Sequence, residues 1–247
     1  MKTLLQVLSD EEKDQIHERT LTVLENTGVR VDTAKGRQIL RDAGAQVDTN
    51  TQIVHFPRAL VEEALHLAPK KFSLGARRPG WDLEMNAGNC TLSADGEGMF
   101  VGDWETGERR ESDFNDWLTA TRLLDALDEI GVYWSIVEGG GGNGSPADAV
   151  KYWRTIFRNF SKHVQDSTAG AEYSPWLLEV LQVIFGDKET IRQGHPFSFL
   201  VCPQSPLIID QQYTDGYLAL LGWDIPVAVM PMPLMGGTAP GSLISTA

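Results

Sequence analysis

The sequence predicts an α/β fold in which a small α-rich N-terminal domain precedes a partial (β/α)₈ TIM barrel of about five βα units. Three observations predict it. Strand, loop and helix patterns alternate from about Thr91 onward, which is typical of parallel architectures. Successive strands begin roughly 28 to 40 residues apart, a spacing that suits right-handed βαβ crossovers. The last strand, at residues 225–232, is nearly all apolar, as expected for a strand buried on both faces.

The first part of the chain predicts helices separated by turn residues. Ser9 and Glu12 have the spacing of a capping box, and Gly28 stands where the first helix would end. The same reasoning places three helices, at about 10–26, 33–43 and 58–67, and one strand at 52–56, followed at 71–88 by an irregular connection or short strands. We therefore predict an α-rich cap domain over residues 1–85 and a barrel domain over residues 86–247.

The barrel domain is predicted as alternating strands and helices. The strands are expected at 90–94, 131–137, 163–167, 197–202 and 225–232. A hairpin turn is expected at 104–110, and helices are expected at about 112–127, 145–160, 175–185, 188–193 and 213–221, with another beginning near Pro240. Because the sequence reaches only the fifth βα unit, we expect half a barrel.

Composition excludes some classes of partner. The chain carries 34 acidic and 21 basic residues, for a formal net charge of −13. Binding to nucleic acid requires a basic surface that neutralises phosphates, so no nucleic-acid partner is expected. The acidity is compatible with a cationic substrate, but a solvated surface that keeps the protein soluble is the favoured explanation.

Targeting and metal-binding signals are also missing from the sequence. No apolar stretch reaches the length of a signal peptide or a membrane-spanning helix, so we expect a cytoplasmic protein without a membrane partner. Cys90 and Cys202 are isolated, which favours reduced structural cysteines. The five histidines are scattered, so no metal site is predicted. For His163, at the head of a strand, structural packing is favoured over catalysis.

A glycine run offers one alternative function. Gly139, Gly141 and Gly144 satisfy the dinucleotide pattern G-x-G-x-x-G, and Asp166 follows about twenty residues later. However, Ser145 and the next residue, proline, indicate that the helix begins only after the run, whereas the third glycine of that motif lies in the first helical turn. A flexible loop at the end of a strand is the favoured explanation of the run.

Candidate substrate-binding residues follow the ends of the predicted strands, where barrel enzymes carry their chemistry. They are polar or aromatic side chains: Asp95, Glu97, Trp134, Glu138, Gln165, Asp166, Gln204 and Thr238. Any one of them could simply cap a helix or bond a loop, but together they predict a site. Because the aromatic residues of the strands alternate in direction, about half face the helices, and the others could bind a quaternary ammonium group by cation–π attraction.

Four stretches carry a resemblance to a known family: residues 56–69, 105–110, 123–127 and 231–240, of which Met235-Gly236-Gly237-Thr238-Ala239-Pro240 is the most specific. In this order, they make nearly the whole chain similar to the trimethylamine:corrinoid methyltransferase family, barrel enzymes that demethylate methylated amines and betaines. The resemblance implies a methylated amine substrate, such as trimethylamine or glycine betaine, and a (β/α)₈ barrel whose mouth docks a separate corrinoid protein.

The resemblance also implies how the site would work. The Co(I) corrinoid of the partner takes a methyl group from nitrogen, so the enzyme itself binds no cofactor directly and acts by positioning and by stabilising a cation. Asp95, Glu138 and Asp166 with Trp134 are the hypothetical box around that cation. Related methanol-type enzymes use zinc, which the scattered Cys and His residues argue against. No catalytic residue is assigned.

Family members are about twice this length, and the pyrrolysine of the trimethylamine enzymes lies in the part that would follow Ala247. We therefore expect this chain alone to be poorly soluble or to associate through its last strand, as a homo-oligomer or with a completing chain, and to be inactive by itself. Three hypotheses stay open: an amine methyltransferase, a dinucleotide-dependent oxidoreductase using Gly139 to Gly144, and a non-catalytic half-barrel assembly module.

Overall fold

The computed structural model describes residues 8–86, 89–139, 144–168, 170–239 and 241. Contacts group the chain into two compact units. The first comprises Met1–Pro69, Pro203–Gln211 and Pro231–Ala247, and the second comprises Lys70–Cys202 and Gln212–Met230. The predicted domain boundary between residues 85 and 86 stays a prediction.

The described residues form eight helices and thirteen strands. The helices are α1 (Asp10–Asn26), α2 (Ala34–Asp42), α3 (Arg58–Leu67), α4 (Phe114–Ala126), α5 (Pro146–Asn159), α6 (Ser174–Phe185), α7 (Lys188–Gly194) and α8 (Gln211–Leu218). The strands are β1 (Val29–Val31), β2 (Gln46–Val47), β3 (Ile53–His55), β4 (Phe72–Leu74), β5 (Leu83–Met85), β6 (Leu92–Ser93), β7 (Phe100–Gly102), β8 (Arg109–Glu111), β9 (Ile130–Tyr133), β10 (His163–Asp166), β11 (Phe197–Val201), β12 (Ile208–Ile209) and β13 (Val227–Val229).

The first compact unit contains the three predicted helices and a sheet that the sequence did not fully predict. Ser9 and Glu12 form the predicted capping box, because the Ser9 hydroxyl accepts the Glu12 N–H and the Glu12 carboxylate accepts the Ser9 N–H. The sheet has the order β12-β1-β3-β2. Its core is formed by Val31 and Val54, which are almost completely buried. Only β3 of this sheet was predicted.

The second compact unit contains the predicted half-barrel sheet. Its five strands run parallel in the order β13-β11-β10-β9-β6. Helices α4, α5 and α6 cover one face, where Trp117, Trp153 and Leu177 pack on side chains of the central strands. This burial of large apolar side chains is what holds the helices on the sheet.

Two hairpins accompany the sheet. The β4–β5 hairpin lies at the N-terminal ends of the parallel strands, where the Gly75 N–H donates to the His195 carbonyl oxygen over 3.0 Å. The β7–β8 hairpin confirms the turn predicted at 104–110. Asp103 holds this turn by accepting the backbone N–H groups of Glu105 and Thr106 on one carboxylate oxygen.

Several predicted boundaries needed correction. The helix expected to begin near Ser112 is capped by Asp113, whose carboxylate accepts the N–H groups of two residues in the first turn. The second barrel strand ends at Tyr133, and Val137 forms only an isolated bridge with Gly98. The fifth strand contracts from 225–232 to Val227–Val229. The helix expected from Pro240 lies outside the described residues. No described helix has both the length and the apolar character needed to cross a membrane.

Candidate functional site

The two faces of the parallel sheet carry different chemistry. Tyr133 and Asp166 point towards the helices, since the indole N–H groups of Trp117 and Trp153 donate to them over 3.1 and 2.8 Å. Side chains alternate along a strand, so the neighbours of Tyr133 in β9 and of Asp166 in β10 point to the opposite face of the sheet. We call that opposite side, away from α4 and α5, the inner face. Gln165 lies on it.

Asp166 is the buried acid at the C-terminal end of β10. Its carboxylate accepts the Trp153 indole N–H on Oδ2 and the Ser167 backbone N–H on Oδ1, both over 2.8 Å. Burial raises its pKa to about 7, and the charges of Glu97 and Glu138 add to this rise. Two hydrogen bonds favour the charged form but do not outweigh the loss of water, so this carboxyl group titrates near neutral pH.

Glu97 and Glu138 are brought together by backbone pairing beyond the ends of β6 and β9. The Glu97 N–H donates to the Ser135 carbonyl oxygen, and the Glu138 N–H donates to that of Gly98, each over 3.0 Å. Although Glu97 as a residue is exposed, partial screening of its carboxyl group from water raises its pKa, and the charges of Glu138 and Asp95 raise it further. Four predicted site residues therefore interact electrostatically: Asp95, Glu97, Glu138 and Asp166.

Glu97 also holds an uncommon backbone conformation, with φ of +47°. A side chain in the left-handed region costs on the order of 1 kcal/mol and persists only where surrounding structure enforces it. Here the bond to Ser135 enforces it.

Aromatic side chains stand beside these acids. The Trp117 and Tyr152 rings stack with centroids 5.1 Å apart. Burial raises the pKa of Tyr133 to about 12. Burial also raises the pKa of Tyr152, and the charges of Asp166, Glu97 and Glu138 add to that rise. Both phenols are therefore neutral. Trp134 follows β9 and is half-buried.

A chain of three hydrogen-bonded side chains occupies the inner face. His163 Nδ1 lies 2.9 Å from the Gly75 carbonyl oxygen, and its Nε2 lies 2.9 Å from Ser198 Oγ. Gln165 Nε2 donates to the same hydroxyl over 3.0 Å. Burial lowers the pKa of His163 to about 4, so its ring is neutral. The packing role expected for His163 agrees with these contacts.

Sequence reasoning missed Ser198 and Gly75. A serine inside an apolar strand and a glycine in a short hairpin carry no functional signal by themselves. Their roles follow only from the register that places Ser198 beside Gln165.

The two other predicted site residues, Gln204 and Thr238, belong to the first compact unit. Gln204 exchanges both backbone hydrogen bonds with Ile208, and the Thr238 hydroxyl accepts the Leu234 N–H. Whether any of the eight predicted residues binds substrate stays a prediction.

The glycine run and the metal question can be described in part. Residues 140–143 lie outside the described residues, so the dinucleotide motif is only partly visible. Gly144 precedes Ser145, the N-cap of α5, and is therefore not in the first helical turn as that motif requires. Across the described part of the chain, no three His, Cys, Asp or Glu side chains are grouped to hold a metal ion.

Comparisons with known proteins give a consistent answer. The family model described as trimethylamine methyltransferase (MTTB) matches residues 2–247. Trimethylamine methyltransferase MttB of Desulfitobacterium hafniense is 32% identical over 238 residues, which cover 96% of this chain and 48% of that protein. MttB2 of Methanosarcina mazei is 30% identical over 249 residues, covering 98% and 50%.

A more distant relative has a different substrate in its name. Glycine betaine methyltransferase of Desulfitobacterium hafniense is 24% identical over 246 residues, covering 97% of this chain and 50% of that protein. Among solved structures, the hydroxylamine MtmB complex matches with a TM-score of 0.47 and 16% identity, covering 92% of this chain and 51% of that one. The chain spans about half the length of the curated relatives it matches.

Proposed function

The chain belongs to the trimethylamine methyltransferase family, and we propose that it forms part of an enzyme that moves a methyl group from a methylated amine to the corrinoid of a partner protein. Names of its relatives support a methylated amine as the substrate class. Because the chain spans about half of each relative, the activity of a complete enzyme is part of the proposal.

One observation carries the proposal: the grouping of Glu97, Glu138 and Asp166 at the C-terminal ends of three neighbouring parallel strands. The charge of Glu138 helps to raise the pKa of Glu97, and the charges of Glu97 and Glu138 help to raise that of Asp166, so the negative charges repel one another. A cation bound among them would relieve that repulsion. In parallel α/β barrels, ligands are bound at this end of the strands.

Methyl transfer from a positively charged nitrogen requires little acid–base catalysis by the protein. When nitrogen carries a positive charge and loses a methyl group, it leaves as a neutral amine. The protein's own task is then to orient the amine, to stabilise its charge before transfer, and to keep water away. The carboxylates supply the charge, and Trp134 supplies an aromatic face for methylated nitrogen.

The methyl acceptor is proposed to come with a second protein. A reduced corrinoid supplies a strong nucleophile for the methyl group when its carrier protein is docked. Of the groups on this chain, we assign none to holding the corrinoid directly. We further propose that a second copy or a completing chain covers the edge strand β13, whose Val229 is 65% exposed.

The test measures binding and transfer separately. Calorimetric titration of the chain with trimethylammonium chloride and with glycine betaine reports binding, and the absorbance of a reduced corrinoid protein mixed with both reports methyl transfer. We expect Glu97→Gln to weaken binding several-fold, whereas Glu63→Gln, an exposed acid on α3, should leave it unchanged. Binding without transfer is the result expected of a half-barrel that is inactive by itself, whereas absence of both would favour the assembly module. Absence of both, together with saturable NADH binding, would replace the proposal with the oxidoreductase.

A further inference from the structure

The hydrogen-bonded chain His163–Ser198–Gln165 on the inner face fixes the orientation of the Gln165 side-chain amide. We propose that Gln165 is a specificity-determining residue, whose carbonyl oxygen selects amine cations that carry an N–H bond over fully methylated ones. The inference rests on the proposed function, since it concerns which methylated amine that site accepts.

The first step is the tautomer of His163. The Gly75 carbonyl oxygen can only accept a hydrogen bond, so His163 Nδ1, 2.9 Å away, must carry a proton. The side chain is completely buried, and its pKa of about 4 keeps the ring neutral. A neutral imidazole protonated at Nδ1 has an unprotonated Nε2, which can only accept.

The second step is the direction of the Ser198 hydroxyl. Because His163 Nε2 is an acceptor, the Ser198 O–H must donate to it across 2.9 Å. The hydroxyl proton is then used, and only lone pairs of Ser198 Oγ remain for other partners. Ser198 is itself almost completely buried, so no bulk water competes for these positions.

The third step fixes the amide of Gln165. Its partner is now an acceptor, so the Gln165 amide must present Nε2 to Ser198 Oγ, as observed over 3.0 Å. Turning the amide round would bring lone pairs of two oxygen atoms together and would lose the hydrogen bond from the Gln165 N–H to Ser198 Oγ. The carbonyl oxygen Oε1 is therefore the outer end of this hydrogen-bonded chain, and no described residue donates a hydrogen bond to it.

The position of Gln165 places this acceptor at the end of the sheet where the amine is proposed to bind. Gln165 precedes Asp166 at the C-terminal end of β10 and remains partly exposed on the inner face. The acids around Asp166 attract any cation of the right size and do not distinguish one methylated ammonium from another. A fixed carbonyl acceptor does distinguish them, because a protonated tertiary amine donates an N–H bond and a quaternary amine has none.

The energetic basis is the cost of an unpaired polar group. A quaternary ion that displaces water from Oε1 offers no hydrogen bond in return, and sites built around such a bond discriminate strongly against analogues that lack it. The fixed carbonyl oxygen of Gln165 therefore favours binding of the trimethylammonium ion over tetramethylammonium or betaine.

The test compares two ions of equal charge, one with an N–H bond and one with a fourth methyl group in its place. Trimethylammonium chloride and tetramethylammonium chloride are titrated into the chain by calorimetry at neutral pH. We expect trimethylammonium to bind about tenfold more tightly or better. In Gln165→Met, which keeps the size of the side chain and removes the acceptor, the ratio should fall towards one. Gln182→Met, on the exposed side of α6, should keep it.

A second variant tests positioning. Ser198→Ala leaves Gln165 in place but frees its amide to rotate, so the ratio should fall by a smaller factor, while nitrogen chemical shifts should still show His163 protonated at Nδ1. Equal binding of both ions to the native chain would overturn the inference and leave the proposed function standing. Binding of neither ion would overturn the proposed function and the inference with it. A ratio unchanged in Gln165→Met would also reject the assignment.

Discussion

Trp153 on α5 donates its indole N–H to Oδ2 of Asp166 at the end of β10, across 2.8 Å. The bond ties the middle of a covering helix to the residue where the strand enters the proposed site. It also stabilises a charge that burial and two neighbouring acids oppose. The balance leaves the pKa of Asp166 at about 7, so the protonation of this group responds to small changes in its surroundings.

We expect Asp166→Asn to remove the contribution of Asp166 to the pH dependence of stability between about pH 4 and pH 7. The pKa of Asp166 is about 7 in the folded chain and returns to the ordinary 3.8 on unfolding. In this window the folded state holds a proton on Asp166 that the unfolded state releases, so the contribution of Asp166 to the free energy of unfolding falls as pH rises. His163, whose pKa is lowered to about 4, contributes a slope of the opposite sign, so the free energy of unfolding of the variant should rise with pH relative to that of the native chain. Above pH 7 the variant should be the more stable, by on the order of a few kcal/mol.

Urea unfolding followed by tryptophan fluorescence over a series of pH values measures this slope. Asp187→Asn is the matched control, because hydrogen bonds from Thr190 lower the pKa of Asp187 and asparagine still caps α7. It should leave the slope between pH 4 and 7 unchanged. A variant at Asp166 with the native slope would contradict the assignment of this proton.

Local signals explain why some elements were predicted closely. The capping box at Ser9 defined α1, and Ser145 followed by Pro146 defined α5, because caps depend only on neighbouring residues. Strands β1, β2 and β12 have two or three residues, too few for an alternating pattern. The pairing of Arg30 with Ile208 joins distant parts of the chain, which no local pattern indicates.

The site was predictable to a similar degree. Acids after the strand ends were expected, and Glu97, Glu138 and Asp166 do interact. The partners of Gln165 and Asp166 on opposite faces of the sheet were not predicted, because they depend on the register in which Gln165 lies opposite Ser198 and Asp166 lies opposite Phe199. The role of Ser198 depends on the same register.

Lys162→Met is expected to lower the free energy of unfolding by about 2–3 kcal/mol. The buried Lys162 ammonium donates to the carbonyl oxygens of Leu127 and Ile130 over 2.5 and 2.8 Å, at and beyond the C-terminal end of α4. It also lies 4.6 Å from the centroid of the Trp81 ring. Methionine fills the space but removes the ammonium donor from both carbonyl oxygens, of which that of Leu127 keeps only the Ile130 N–H, and it removes a cation from the negative end of the helix.

Chemical denaturation measures the effect, with Lys151→Met as the control. Lys151 is on the exposed side of α5 and pairs only with Asp148 at the surface, so its loss should change stability by about 0–0.5 kcal/mol. Equal effects of the two substitutions would show that the carbonyl contacts of Lys162 contribute nothing measurable.

Val229→Lys is expected to reduce self-association of the chain. Strand β13 pairs with β11, and no other described strand pairs with it, so its outer edge presents free backbone groups beside an exposed valine. A lysine on such an edge discourages pairing with another chain. Light scattering after size-exclusion chromatography measures the mass. Val183→Lys removes a similarly exposed valine from α6, and if it lowers the mass as much, association does not depend on the strand edge.

Gly75→Ala is expected to destabilise the fold by about 1–3 kcal/mol and to release His163 from its buried state. A Cβ at Gly75 would lie 2.0 Å from the Gly194 carbonyl oxygen, so the β4–β5 hairpin must move. That movement breaks the hydrogen bond that the His163 ring donates to the Gly75 carbonyl oxygen and admits water, and the loss of burial should raise the pKa of His163 from about 4 towards 6.5. Proton NMR titration of the ring measures the pKa directly. Gly102→Ala in β7, where a Cβ meets nothing within 4 Å, should change neither the free energy of unfolding nor this titration. An unchanged His163 pKa in Gly75→Ala would show that the hairpin does not exclude water from the ring.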